Sequence, residues 1–356
     1  MARAQQTILP SAIWIVGPWF DLALIANLGW LLLLIPGIFA SDGVSHVEFW
    51  QVYFITTPHR WITLLLVAAD PDRRGGRNWP FVAIAIAAFA VVFGVQRWTG
   101  AFNCLALVDY VWNSWHFGAQ HGGVFRMYAR KAGNDWPRLE TWGMRGLVVY
   151  VALRLASWTT GWTEDAPAAA QVLHVTDLLI LILPAALILR ELTNWSSRHV
   201  AKLTYLLSVG FLYTDLLWAL NVGNKPMILA LTAGSAVFHA VEYLAIVTHY
   251  AMRRQGQGSP GLFQAIALRW GGLLLTFMLV WGLWGYVMDS GSETMIQLWI
   301  GMNLWAAALH YAYDGMIWKL RNAGTAKVLD VTGSAQARDL SPPRSSPSPK
   351  FAETAS

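Results

Sequence analysis

Long apolar runs alternate with short polar segments along most of this chain. Residues 81–94, 178–189 and 271–285 show no polar face at helical spacing, so a helix built from any of them would be apolar all round. Helices of that kind face lipid or other helices. The pattern predicts an all-α, polytopic transmembrane helix bundle. Its ten predicted spans lie near residues 12–40, 47–69, 79–97, 101–125, 144–162, 169–190, 201–220, 227–250, 262–288 and 294–318.

Composition and the placement of charge indicate the same class of protein. Hydrophobic residues make up 56% of the 356 residues and charged residues 13%, against roughly a quarter charged in an ordinary soluble domain. With a cytoplasmic N-terminus, ten spans put nearly all basic loop residues on the cytoplasmic side and only Arg97 and Lys225 opposite. This bias follows the positive-inside rule and predicts that both termini are cytoplasmic. We expect a multi-pass protein of the inner (cytoplasmic) membrane.

The same bias accounts for the net charge of +5, so nucleic acid is not an expected partner. A single cysteine, Cys104, excludes an intramolecular disulfide and a Cys-rich metal site. Beyond Asn322 the composition changes, and the Ser- and Pro-rich segment 341–349 cannot bury enough apolar surface to fold. The sequence therefore predicts a transmembrane helical domain over 1–322 and a disordered cytoplasmic tail over 323–356.

Polar and ionisable side chains nevertheless occur inside four predicted spans, where each is costly. On the fourth span, Asp109, Asn113, His116 and Gln120 are separated by four, three and four residues. This spacing places them in one stripe along a helix. A polar stripe of this kind faces a protein interior rather than lipid.

Two other predicted spans carry polar pairs that share a face. His239 and Glu242 are three residues apart, and His310 and Asp314 are four apart. The number of residues from each group to the first basic residue of the following cytoplasmic loop indicates how deep the group lies in the membrane. These numbers divide the groups into two tiers. The deeper tier holds His59, His116, Glu242 or His239, and His310; the shallower tier holds His121, His249 and Asp314.

Two tiers of histidine and carboxylate on four spans indicate a metal site with one or two ions. Imidazole with added carboxylate is typical of non-haem iron. The candidate ligands are His59, His116, His121, His239, Glu242, His249, His310 and Asp314. The residues expected to orient them are Asp109, Asn113, Gln120, Tyr243 and Tyr311. No residue is assigned as catalytic.

Helical spacing limits which candidates can share an ion. His239 and His249 are ten residues apart, ~15 Å along a helix, and so cannot bind the same metal. His116 and His121 are five apart and point ~140° away from each other in a regular helix. They could share an ion only if the helix is distorted near Gly118 or Gly122.

At these residues the chain resembles the integral-membrane His-box non-haem iron oxygenases. The nearest partial likeness is to the Brp/Blh-type carotene dioxygenases, through Pro58-His59 and His116-Phe117-Gly118. The likeness implies histidine-bound iron, activation of dioxygen and cleavage of a lipophilic polyene. Arg60-Trp61 departs from that family, which has small residues there, and the His-x-x-His-His boxes of desaturases are missing.

The leading hypothesis is therefore a membrane-embedded oxygenase, hydroxylase or desaturase with one or two non-haem irons. Its substrate would be a carotenoid, a fatty acyl chain or a polycyclic lipid entering from the bilayer, and its electrons would come from a cytoplasmic donor. The alternatives are a b-type cytochrome with haem between two histidines, a proton- or ion-coupled transporter, and a scaffold whose histidines only pack helices. The sequence leaves the oligomeric state open.

Overall fold

The computed structural model describes residues 13–34, 50–133, 136–161, 166–255, 262–319, 325 and 328–329, and this part of the chain is all-helical. The longer helices are α1 (Trp50–Ala69), α2 (Trp79–Thr99), α3 (Asn103–Ala132), α4 (Pro137–Thr160), α5 (Pro167–Ile180), α6 (Ile182–Thr193), α7 (Val200–Val222), α8 (Lys225–Gln255), α9 (Trp270–Asp289) and α10 (Glu293–Ile317). Shorter helical turns cover Pro71–Arg74, Ser197–His199 and Leu262–Leu268. The predicted all-α class is confirmed over the described residues.

Five helices of the described chain are long and apolar enough to cross a membrane. They are α2, the consecutive pair α5–α6, α7 with its preceding turn, α8 and α9. Helices α7 and α8 are mostly buried, whereas α2, α5–α6 and α9 are mostly exposed around the outside. The other long helices, α1, α3, α4 and α10, have between 20 and 30 residues but are less apolar. Three of these four, α1, α3 and α10, carry candidate site residues, and α8 carries the others.

The expected first span, 12–40, is wrong over residues 13–34, which do not form one continuous helix. Three short turns replace it, Pro18–Phe20, a π turn at Asp21–Ile25 and a 3₁₀ turn at Leu28–Leu33. The buried Asp21 carboxylate accepts backbone N–H bonds from the three residues Ile15, Val16 and Gly17 at 2.7–3.2 Å. These bonds compete with helix formation. The segment is as apolar as a membrane span, but its apolar side chains pack against α8.

The remaining predicted spans coincide with α1 to α10, although two are interrupted. The sixth is divided into α5 and α6, and the ninth begins as Leu262–Leu268 before α9. Most of the predicted tail, 323–356, lies outside the described residues. Thr325, Val328 and Leu329 are described, and they are buried.

Helix packing brings α1, α3, α8 and α10 together. Helix α1 contacts α8, α9 and α10, and α3 contacts α4, α7, α8 and α10. The approach of α3 to α4 is close because Gly118 has no side chain. A Cβ at Gly118 would lie 3.0 Å from the Cα of Arg145. Gly118 thus permits tight packing without any distortion of α3, which runs unbroken past it.

A buried ion-pair network joins α4, α6 and α7. Lys202 is fully buried and donates to Glu140 at 2.6 Å and to Glu191 at 2.7 Å. Arg126 and Arg190 also donate to Glu140, at 2.9 and 3.1 Å. Buried charges are tolerated when paired in this way. Several basic residues that the charge bias placed on the cytoplasmic side are therefore inside the protein.

Candidate metal centre

Four imidazole rings meet inside the bundle, each from a different helix. His59 lies on α1, His116 on α3, His239 on α8 and His310 on α10. All four are buried, with exposed fractions of 0–7%. Ring centroids of neighbours are 4.6–5.2 Å apart, and those of His239 and His310 are 6.4 Å apart. The structure thus brings together the four histidines of the expected deeper tier. Of the two alternatives on α8, His239 and Glu242, it is His239 that joins this cluster.

These rings contain buried nitrogen atoms without hydrogen-bond partners. They are His59 Nδ1, His116 Nε2, His239 Nδ1 and Nε2, and His310 Nε2. Buried polar atoms are normally paired, and each unpaired one costs roughly 1–3 kcal/mol. Neutral imidazole nitrogens are common metal ligands, so this donor set fits a bound metal ion.

Two groups of side chains in the described chain have ligand atoms close enough to hold a metal. One is His59, His239 and His310; the other is His116, His310 and Asp314. Within each group the ligand atoms lie within 4.8 Å of one another. Two nitrogens on one tetrahedral ion at zinc-like bond lengths are about 3.3 Å apart. The most widely separated ligand atoms would therefore have to move about 1.5 Å closer together, and His310 is common to both groups.

With the Asp314 carboxyl ionised, as a metal ligand would be, the hydrogen bonds around His310 select one of its tautomers. The Tyr243 hydroxyl would donate to Asp314 Oδ1 at 2.8 Å and accept from Thr63 at 2.6 Å. Thr63 Oγ1 would then accept the N–H of His310 Nδ1 at 2.7 Å. Trp318 Nε1 donates to the same Tyr243 oxygen at 3.2 Å. This proton count leaves His310 Nε2 with its lone pair, as a metal ligand requires.

His121 belongs to an adjoining cluster with a similar pattern. Its Nδ1 lies 3.0 Å from the Tyr205 hydroxyl, which donates to Glu242. The Glu242 carboxylate also accepts from Gln120 at 2.7 Å and lies 3.3 Å from His121 Nδ1. The His121 ring is 6.4 Å from that of His239. His121 and Glu242 therefore lie beside the four-histidine cluster, on the α7 side.

Tyr311 connects α10 to the polar stripe of α3. Its hydroxyl lies 3.1 Å from Asp109 Oδ1 and 3.0 Å from Asn113 Oδ1, and its single proton can serve either acceptor. Its ring lies 4.9 Å from that of His116. The residues expected to orient the ligands thus lie next to the cluster, since Gln120 and Tyr243 also contact it.

His249 is not part of this arrangement. It is buried on α8, ten residues beyond His239, and neither metal-competent group of the described residues includes it. The separation agrees with the spacing argument that these two histidines cannot share an ion. Asp314, expected in the shallower tier, is instead beside the cluster, 3.5 Å from His310 and 3.8 Å from His116.

A cavity of about 750 Å³ reaches the cluster from one side. His116, Tyr243 and Asp314 are among the residues that line it, whereas His59, His239 and His310 are not. Other lining residues include Trp112, Trp115, Gln120, Met127, Tyr311 and Trp318. A volume of this size is typical of small-molecule sites. Access to a metal here would therefore be past His116 and Asp314.

Sequence reasoning missed several neighbours of the cluster. Thr63 is four residues after His59 and so shares its helix face, a signal that spacing could have found. Phe117 stacks on His239 at 3.9 Å, and Tyr205 reaches His121 from α7. Neither has a ligand-like spacing in the sequence, because both act across helix interfaces.

These observations define an α-helical protein with apolar membrane-compatible helices and a buried histidine cluster that opens to a cavity. Comparisons with known protein families, curated proteins and solved structures find no match for the chain. The likeness to His-box oxygenases therefore stays a prediction from short motifs.

Proposed function

We propose that this protein is a membrane-embedded, non-haem metal oxygenase, with iron as its metal and a lipophilic compound as its substrate. The observation that carries the proposal is the buried cluster of four imidazoles with unpartnered nitrogens. Asp314 adds a carboxylate that lines the cavity. Histidine with carboxylate and an accessible position is the ligand type of dioxygen-activating iron.

The chemistry proposed is oxygen insertion into, or oxidative cleavage of, the lipophilic substrate. Hydroxylation would use dioxygen with two electrons and two protons from a cytoplasmic donor, giving the alcohol and water. Cleavage of a double bond would place one oxygen atom on each carbonyl product and need no external electrons. The metal would supply dioxygen activation. The protein's own groups would hold the ligand rings, through Thr63 and Tyr243, and keep the site dry.

The proposed topology has nine helical crossings, counting α5–α6 as one, in the inner membrane. The basic segment after α1, the α3–α4 and α6–α7 connections, the end of α8 and the end of α10 would be cytoplasmic, as the positive-inside rule expects. The C-terminus would then be cytoplasmic. The cluster would lie in the half of the membrane closer to that side, within reach of a soluble electron donor.

A bis-histidine haem is the weaker candidate. A porphyrin held by two axial imidazoles fills the plane between the two rings and so keeps them apart. Here His59 and His116 have ring centroids within 4.6–5.2 Å of those of both His239 and His310, and Phe117 stacks directly on His239. Crowding of this kind favours a bare ion.

Iron content with an absorption spectrum tests the proposal on gently purified protein. We expect one or two irons per chain, no Soret band, and loss of most metal in His116→Ala and His310→Ala. His174→Ala is the matched control, because His174 is exposed and bonded to Asn221, and it should keep its iron. A Soret band would instead indicate bound haem and therefore a b-type cytochrome. Metal-free protein after attempted reconstitution would leave a transporter or scaffold.

A further inference from the structure

Arg145 of α4 faces the cavity with a guanidinium group that no described residue neutralises. The group stacks on Trp115 at 4.9 Å and Trp142 at 5.6 Å from the ring centroids. No ion pair or hydrogen bond of its side chain is found within the described part of the chain, and its Nε is buried without a partner. Stacking on an aromatic face leaves the donor edge of an arginine available for a carboxylate or phosphate.

Lys319 supplies a second positive charge to the same cavity. It follows Asp314 by five residues, and it too has no ion pair with a described residue. Arg145 is beside Gly118, two residues from His116. Arg145 and Lys319 therefore line the same cavity as His116 and Asp314.

The described lining of the cavity holds more basic than acidic residues. Four basic residues line it, namely Arg126, Arg130, Arg145 and Lys319, and Asp314 is the one acidic residue among the described lining. Arg126 pairs with Glu140 at 2.9 Å and Arg130 has an interaction of its own, so the positive charge available to a ligand comes from Arg145 and Lys319. A positive potential in a half-enclosed, low-dielectric space attracts an anion strongly.

Apolar and aromatic side chains make up the rest of the wall. Trp112, Met127, Ile246 and Trp318 line the cavity together with Trp115. Trp112 and Trp115 are also partly exposed on the outer face of α3. The cavity thus combines a surface suited to a hydrocarbon chain with fixed positive charge near the histidine cluster.

We propose that this cavity binds an amphiphile with an anionic head group, a carboxylate or a phosphate, and an apolar chain. Arg145 and Lys319 hold the head group, and the tryptophans contact the chain where it passes His116 and Asp314. The inference rests on the proposed function and gives its substrate class. Ordinary positive-inside bias accounts for exposed basic residues, but it does not account for a stacked, unpaired arginine inside a cavity that reaches the cluster.

Equilibrium binding in detergent, with protein-free micelles as blank, tests this directly. The probes are radiolabelled palmitate and its methyl ester, which share one chain and differ in charge, and phosphatidylglycerol and phosphatidylcholine as a second pair. We expect the charged member of at least one pair to bind about tenfold more tightly than its neutral or zwitterionic partner. Preference within the first pair identifies a fatty acid, and preference within the second alone identifies a phospholipid.

Amino-acid substitutions test whether the anionic head group binds to Arg145 and Lys319. Arg145→Gln and Lys319→Gln should each weaken binding of the preferred anionic probe about tenfold and leave the uncharged probe unchanged. Arg145→Lys, which keeps the charge, should recover part of the affinity and guards against a folding defect in Arg145→Gln. Arg198→Gln, at an exposed basic residue outside the cavity, should bind like the wild type.

Iron content is measured on every preparation, so that failure of the binding inference can be distinguished from failure of the proposed function. Equal affinity within both probe pairs, or full affinity in both glutamine variants, would overturn the anionic-amphiphile inference while iron-loaded protein keeps the metal centre. An equal loss of affinity in Arg198→Gln would also overturn it, because basic residues on the surface would then attract the anion as well as those of the cavity. Iron-free wild-type protein would overturn the proposed function itself.

Discussion

His310 illustrates how neighbouring side chains can determine the tautomer of a buried imidazole. With Asp314 ionised, Nδ1 of His310 would donate to Thr63, Thr63 to Tyr243, and Tyr243 to Asp314. Each hydroxyl in this chain gives one proton and accepts another, so the tautomer of the imidazole is determined by its neighbours. The ring is also held in one orientation. Outer hydrogen bonds of this type raise metal affinity.

Thr63→Val tests this arrangement at the residue scale. Valine has nearly the same shape but can neither accept from His310 nor donate to Tyr243. We expect iron affinity to fall 10–100-fold, as for other partners of metal ligands, with a stability loss of only about 1 kcal/mol. Iron retained against increasing chelator concentration measures the affinity. Thr160→Val, at an exposed position at the end of α4, is the control, and equal iron retention in both variants would refute the role of Thr63.

Residue-level prediction was successful where helical spacing carries the information. The stripe Asp109, Asn113 and His116 was predicted from spacing, and Tyr311 indeed joins its first two members. The pairing of Glu242 with Tyr205 could not be predicted. It depends on the rotation of α8 relative to α7, which no local pattern in either helix specifies.

At the scale of elements, α3 organises the site because it contacts α4, α7, α8 and α10. It is a regular helix of 30 residues, so His116 and His121 point in different directions and enter different clusters. Its partner α4 can approach closely because of Gly118. Residues of α3, α4, α8 and α10 line the cavity.

Gly118→Ala tests the packing of α3 on α4. The new Cβ would lie 3.0 Å from the backbone Cα of Arg145, which cannot move as a flexible side chain can. We expect a lower Tm, equivalent to about 1–3 kcal/mol of overpacking. Gly123→Ala on the same helix meets nothing within 4 Å and should be neutral or slightly stabilising, since alanine favours helix. Equal Tm values for the two variants would show that this contact is not tight.

The N-terminal segment shows the limit of hydropathy at this scale. Residues 13–34 have the apolar composition of a span, yet the buried Asp21 carboxylate accepts three backbone N–H bonds there. Asn27 also adopts a left-handed conformation, with φ of 44°. Hydropathy indicates apolar surface but not what covers it, and part of this segment packs against α8.

At the scale of the molecule, apolar length predicted most helices because a bilayer demands about 20 apolar residues for each crossing. Depth along each helix was also predictable, since the rise per residue is constant. These two facts placed His59, His116, His239 and His310 near one level, and the structure has them adjacent. Which faces meet was not predictable, because it depends on packing between distant segments.

The molecule accordingly has two kinds of buried polar centre. The network of Lys202, Glu140 and Glu191 is neutralised by its own ion pairs. The histidine cluster has ring nitrogens without a hydrogen-bond partner among the described residues. The first kind stabilises helix packing, whereas the second is suited to binding an ion.

Anomalous diffraction at the iron edge, from crystals of iron-loaded protein, tests the central claim most directly. The account predicts an anomalous peak enclosed by the rings of His59, His116, His239 and His310. The peak should be within ~2 Å of at least three of their ring nitrogens, as imidazole–metal bonds require. Iron found only elsewhere, or no peak in crystals that contain iron-binding protein at full loading, would contradict the metal centre.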